Sequence, residues 1–166
     1  VDNCRGLPNP GQADADRDRL GDACDPEHNH TWLSFQSDPG DFIGQGRNDV
    51  WFGVDGTFTP SRTVGGGVQV LFDGGPTDWN LRFHSPNGAL SAGTYTGATR
   101  FPFQATGVPG LSVSGSGRGC NTLTGSFTVN EVVYRADSSV ARFSADFVQH
   151  CEGGTPALRG SIRYDA

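Results

Sequence analysis

The sequence predicts an all-β fold. The expected body is an antiparallel β-sandwich or jelly roll of about eight to ten strands, preceded by an irregular acidic loop module. Three observations predict it. The chain is rich in turn formers, with 25 Gly and 10 Pro, and only 34% of it is hydrophobic. From Thr31 onward apolar residues recur with period two, in runs separated by turn clusters such as "SDPGD", "DGGPTD" and "HSPNG". No helix-length amphipathic segment interrupts them.

The strand candidates follow in order. "TWLSFQ" opens the body, then "DVWFGVDGTFTP" and "GGVQVLFD". In "DWNLRFH", Trp79, Leu81 and Phe83 alternate with Asn80, Arg82 and His84. "GTYTGATRFPF", "GLSVSGSG" and "LTGSFTVNEVVYR" come next. In "ARFSADFVQHC", Ala141, Phe143, Ala145, Phe147 and Cys151 share one face, and Arg142, Ser144, Asp146 and His150 the other. In "LRGSIRY", Leu158, Ile162 and Tyr164 alternate with Arg159, Ser161 and Arg163. Such alternation describes half-buried antiparallel strands, with apolar side chains inward. Two packed sheets fit this better than a closed barrel. Free edges are expected at a terminal strand, "TWLSFQ" or "LRGSIRYDA". The organisation predicted is an acidic module over residues 1–26, a linker over 27–31 and the β body over 32–166.

Composition excludes several function classes. The chain has no lysine, its twelve basic side chains are all arginine, and its formal net charge is −6. That gives no electrostatic footprint for nucleic acid or anionic lipid. No apolar run is long enough to span a membrane. The chain begins at Val1 without a signal peptide, which points to a processed chain or a fragment of a longer one.

The cysteines are Cys4, Cys24, Cys120 and Cys151, an even count in two distant pairs. Disulfides in an oxidising, extracellular or cell-surface setting are expected. Three connectivities are open. Cys4–Cys24 with Cys120–Cys151 keeps each bridge within one region, and the second would then pin two strands from within the core. A zinc site would want a C-x-x-C pair, which the chain lacks.

"QADADRDRLGDACD" crowds Asp14, Asp16, Asp18, Asp22 and Asp25 into one loop, with only Arg17 and Arg19 nearby as cations. Counted from Asp14, these aspartates stand at positions one, three, five, nine and twelve, and Leu20 offers its carbonyl at seven. A hard dication wants six to eight oxygens, and alternate positions of a tight loop turn carboxylates inward, so calcium is the expected cofactor. Arg19 stands where an EF-hand has Gly, Asp25 replaces the longer Glu, and no helices flank the loop. It is a cation loop of another kind.

"DNCRGLPNPGQADADRDRLGDACD" resembles one thrombospondin type 3 repeat. The matching positions are Asp2, Asn3 and Cys4; Asn9 and Gln12; Asp14, Asp16 and Asp18; and Gly21, Asp22, Cys24 and Asp25. Arg19 departs from the family's Gly. The resemblance implies calcium wrapped by a chain with little regular structure, and a disulfide between Cys4 and Cys24. Asp2, Asn3 and Asn9 are further candidate ligands. In the body, "GRGCNTLTG" and "QHCEGGTPALRG" are similar to stretches of bacterial extracellular β-domains of unassigned function.

Other candidates are weaker. His28 and His30 form an H-x-H pair, which is two ligands at most. Asp38 and Asp41 of "SDPGD" could supply a second calcium site, although D-P-G-D is first of all a turn. Trp32, Trp51, Tyr95 and Asn121 are candidates for glycan binding, with Trp79 assigned to the core. Nucleophile-elbow, P-loop, zincin and dinucleotide motifs are absent, and Glu27, Glu131 and Glu152 are the only glutamates. No catalysis is expected. The reading is a secreted bacterial structural or adhesive module, a surface or filament component whose partners are copies of itself or surface glycans. The alternative is a calcium-stabilised, lectin-like module.

Overall fold

The computed structural model describes residues 2–4, 7–8, 10–12, 21, 24 and 31–165. The chain divides into two compact units, Val1–His30 and Thr31–Ala166.

The second unit is all-β. Its strands are β1 (Trp32–Ser37), β2 (Asn48–Phe52), β3 (Thr57–Arg62), β4 (Val68–Asp73), β5 (Asp78–His84), β6 (Gly93–Arg100), β7 (Gly110–Gly115), β8 (Leu123–Tyr134), β9 (Val140–Cys151) and β10 (Leu158–Asp165). They form one sheet in the order β2-β1-β10-β9-β8-β6-β7-β5-β4-β3. The sheet is mixed, where the sequence predicted antiparallel pairing throughout. β6 meets β7 in parallel over Thr99–Gly110 and Arg100–Leu111, and the other pairings are antiparallel.

The sheet curls until its ends face each other across one aromatic core. Phe35 of β1 lies edge-on to Trp79 of β5, with ring centroids 4.7 Å apart. Phe83 of β5 reaches Phe127 of β8 and Phe143 of β9, each at 5.3 Å. These inward side chains are the apolar members of the period-two runs, and burying them is what drives the curl. Gly160 of β10 pairs with Phe147 of β9, and a Cβ there would stand 2.5 Å from the phenyl ring. The glycine is the room that the ring occupies.

His84 and Gln149 are polar and buried, and alternation misplaces the first. His84, expected at the surface, is 5% exposed. Phe101 stacks on its ring at 4.2 Å and Thr63 pairs with Nε2, so a loop after β6 roofs the position. Gln149 lies on the inner face of β9 and is completely buried. Its side-chain amide replaces a missing strand neighbour. Nε2 donates to the Val113 carbonyl at 2.9 Å, and the Val113 N–H donates to Oε1 at 2.8 Å.

The edges also differ from expectation. "TWLSFQ" and "LRGSIRYDA" form β1 and β10, which are interior strands paired with each other. The edge strands are β2 and β3, both drawn from the single candidate run "DVWFGVDGTFTP". Pro60 sits within β3, where an edge strand tolerates its missing N–H.

Cys120 and Cys151 are bonded, and both are buried. Cys120 lies in the connection from β7 to β8, so the bridge ties that connection to the last residue of β9 and does not join two strands.

Candidate functional site

The first unit is described at its frame. Cys4 and Cys24 are bonded, with Cα atoms 5.5 Å apart. Asn3 is the hub. Its backbone N–H donates to Gln12 Oε1 at 2.9 Å and its side-chain amide donates to the Gln12 carbonyl at 3.1 Å. Its own carbonyl accepts from the Gly21 N–H at 2.8 Å. One residue therefore holds both Gln12 and Gly21, which bound the acidic segment 13–20. Asp2 Oδ1 accepts from the Cys4 N–H and from Gln12 Nε2. The Cys4 bond, then the Gln12 bond, hold that carboxyl below the usual aspartate range. The candidate ligands Asp14, Asp16, Asp18, Leu20, Asp22, Asp25 and Asn9, and the pair His28 and His30, lie outside the described residues. Among the described residues no group of three or more His, Cys, Asp and Glu side chains could hold a metal ion.

Asp38 and Asp41 are both engaged by protein donors. Asp41, 5% exposed, accepts from Ser37 Oγ at 2.8 Å and from the Gly44 N–H at 2.7 Å, which winds the loop between β1 and β2. Asp38 accepts from Arg159 at 2.6 Å and from the Ala157 N–H at 3.0 Å. The Arg159 bond, then the Ala157 bond, lower its pKa. The two carboxylates thus define a turn anchored to β10.

The four candidate glycan contacts are dispersed. Trp32 pairs across β1 with Phe52, on the face opposite the buried Leu33 and Phe35. Trp51 pairs with Leu33 and faces inward. Tyr95 stacks on Phe127 at 4.7 Å and its hydroxyl donates to the Ser91 carbonyl. Asn121 is exposed in the β7–β8 connection, where its N–H donates to Glu152 and its carbonyl accepts from Arg100. The Asn121 N–H lowers the Glu152 pKa, with Thr122 adding to it.

Of the four, Trp51 lines a cleft among the described residues. The cleft holds about 420 Å³ and opens between edge strand β2, the β4–β5 turn and the turn after β7. Arg47, Asp49 and Trp51 form one wall, Pro76, Thr77 and Trp79 another, and Ser116 and Arg118 the third. Trp51 is braced by Phe35, Phe72 and Trp79 at 5.3, 5.8 and 5.7 Å. Arg118 lies over the Trp79 ring at 5.6 Å, while its Nε donates to the Ile43 carbonyl at 2.7 Å. Arg47 and Asp49 approach to 3.9 Å, and their side chains are 61% and 36% exposed. The Trp79 indole N–H is buried and has no acceptor among the described residues. Arg47, Thr77, Ser116 and Arg118 carry no sequence signal, because turns far apart in the chain bring them together.

Comparison with known proteins gives one match for part of the chain. Over 26 residues, 16% of the chain, it is 69% identical to cartilage oligomeric matrix protein of Rattus norvegicus. The match spans 3% of that thrombospondin-type protein. No protein-family model and no solved structure matches the chain. No helix among the described residues is long and apolar enough to cross a membrane. The short match and the two disulfides support a thrombospondin type 3-like segment in a disulfide-bonded, all-β chain.

Proposed function

We propose that the chain is a secreted, calcium-binding structural or adhesive module, without catalysis, that serves at a bacterial surface or in an extracellular assembly. Calcium is held by the carboxylates of Asp14, Asp16, Asp18, Asp22 and Asp25 with the Leu20 carbonyl. The observation that carries this reading is the hub at Asn3. It joins Gln12 to Gly21 beside the Cys4–Cys24 bridge, so the stretch that carries Asp14, Asp16 and Asp18 is fixed at both ends by the protein's own bonds. Bound calcium would supply the charge neutralisation that five crowded aspartates require. The curled sheet behaves as a two-layer sandwich, because Phe35 meets Trp79 and Phe143 meets Phe83 from opposite halves. The similarity of "GRGCNTLTG" and "QHCEGGTPALRG" to bacterial extracellular domains supports the setting.

Calorimetry on the oxidised chain tests the site. Binding is expected at around 10⁻⁴–10⁻³ M calcium, and it should vanish in a combined Asp16→Asn and Asp18→Asn variant. Heat-silent titration of the unaltered protein would reject the reading. Assembly is tested separately by light scattering against calcium concentration, with particle growth expected at millimolar calcium.

A further inference from the structure

We propose that the cleft between β2, the β4–β5 turn and the turn after β7 is a binding site for an acidic saccharide, gripped through its carboxylate. The inference stands apart from the calcium module, because every lining residue belongs to the β body.

Size and chemistry point the same way. A cleft of about 420 Å³ falls within the range of small-ligand sites and is too small to seat a folded domain. Trp51 offers an indole at the edge of the sheet, held in place by three aromatic neighbours, so little ordering is left for a ligand to impose. Sugar hydroxyls need donors and acceptors in alternation. Thr77 carries a hydroxyl that serves as both, the Ser116 hydroxyl donates to the Asp78 carbonyl and is left to accept, and Asp49 is an acceptor.

The charge selects an acid among sugars. The lining carries Arg47 and Arg118 against one carboxylate, Asp49, and Asp78 beside it is engaged by the Ser116 N–H, so the lining is net positive although the whole chain is −6. Arg118 is positioned by the protein: Nε is bound to the Ile43 carbonyl, Nη1 to the Ser116 carbonyl, and its plane lies near Trp79. Among the described residues no hydrogen bond uses its Nη2. Arg47 has only a 3.9 Å approach to Asp49, beyond hydrogen-bonding distance. The cleft thus presents one fixed and one adaptable guanidinium, the side chain best suited to carboxylates. An acidic peptide would match the arginines equally well but make less use of the hydroxyls.

The test is calorimetry of the whole, oxidised chain with digalacturonate, its dimethyl ester, maltose and a short Asp-Gly peptide. Digalacturonate should bind at least about tenfold more tightly than the ester or maltose, the value of one charge-assisted contact. Arg47→Gln should remove that preference while leaving thermal unfolding unchanged, since its side chain is 61% exposed. Trp51 is a poorer target, because it also packs on Phe35 and Phe72. Equal affinity for acid and ester, tighter binding of the peptide, unchanged binding in Arg47→Gln, or no binding of digalacturonate would each overturn the proposal.

Discussion

The side chain of Gln149 bonds the backbone of Val113 twice, as donor at 2.9 Å and acceptor at 2.8 Å, across the interior of the body. Strand β7 pairs with β5 on one side and meets β6 at only two positions on the other, so Val113 would otherwise be left with two buried, unpaired groups. Gln149→Leu should therefore cost about 2–4 kcal/mol, because both Val113 groups lose their partners. Gln149→Glu keeps an acceptor and loses the donor, and it buries a charge at neutral pH. It should be the worse variant at pH 7 and should recover part of the loss in mild acid. Urea denaturation at two pH values measures both. Identical stabilities for Gln149→Leu and wild type would show the pair to be dispensable.

His84 gives the body an acid-sensitive point. Burial lowers its pKa from the ordinary 6.5, so the folded protein resists a proton that the unfolded chain accepts. Its contribution is complete above pH 6.5 and is lost as pH falls through the lowered folded value. The midpoint of urea unfolding should decline as pH falls below 6.5 towards the lowered value, and His84→Asn should flatten the slope there. A slope unaltered by the substitution would assign the decline to other groups.

Gly160→Ala should destabilise the body by roughly 1–3 kcal/mol through overpacking. The added carbon would meet the Phe147 ring at 2.5 Å and the Ser34 carbonyl at 2.6 Å, so two strands would have to give. Pairing the change with Phe147→Leu should recover part of the loss. Thermal unfolding of the single and double variants reads it out.

The two disulfides should act on separate units. Replacing Cys120 and Cys151 together by Ala should lower the stability of the body by about 3–4 kcal/mol on the chain-entropy account and leave calcium affinity intact. Replacing Cys4 and Cys24 should do the reverse. Chelation should open residues 1–30 to protease while the far-ultraviolet β signal persists, since the body has its own aromatic core and bridge. Loss of the whole β signal on chelation would show that a cation also holds the body.

Period-two alternation made the strands legible, because it follows from which side chains must leave water. It placed Trp79, Leu81 and Phe83 inward, as found. It could not say which strands are neighbours. "DVWFGVDGTFTP" reads as one run, yet its halves are the opposite edges of the sheet, and β1 and β10 are interior. His84 and Gln149 are buried although polar, for a shared reason. Each polar group is satisfied by a partner distant in sequence, Thr63 for the first and Val113 for the second. The cleft was invisible for the same reason, apart from Trp51. Of the acidic module's pattern, Asn3 and Gln12 meet in the frame, while the ligand positions themselves lie outside the described residues.

Thr31 and Asp165 are bound to each other twice, through the Thr31 hydroxyl and the Asp165 backbone, at the point where the body begins and β10 ends. Trp32 pairs with Arg163 just inside them, and β1 and β10 run antiparallel from there. Tension applied between residues 31 and 165 would therefore fall on the first rung of that ladder alone, and the strands would part rung by rung, as a zip does. A tether carrying shear would load all six paired rungs of β1 and β10 at once. In any extensible fibre made from this unit, the body would yield at low force if pulled from these two points. Mechanical strength would then depend on attachment elsewhere on its surface.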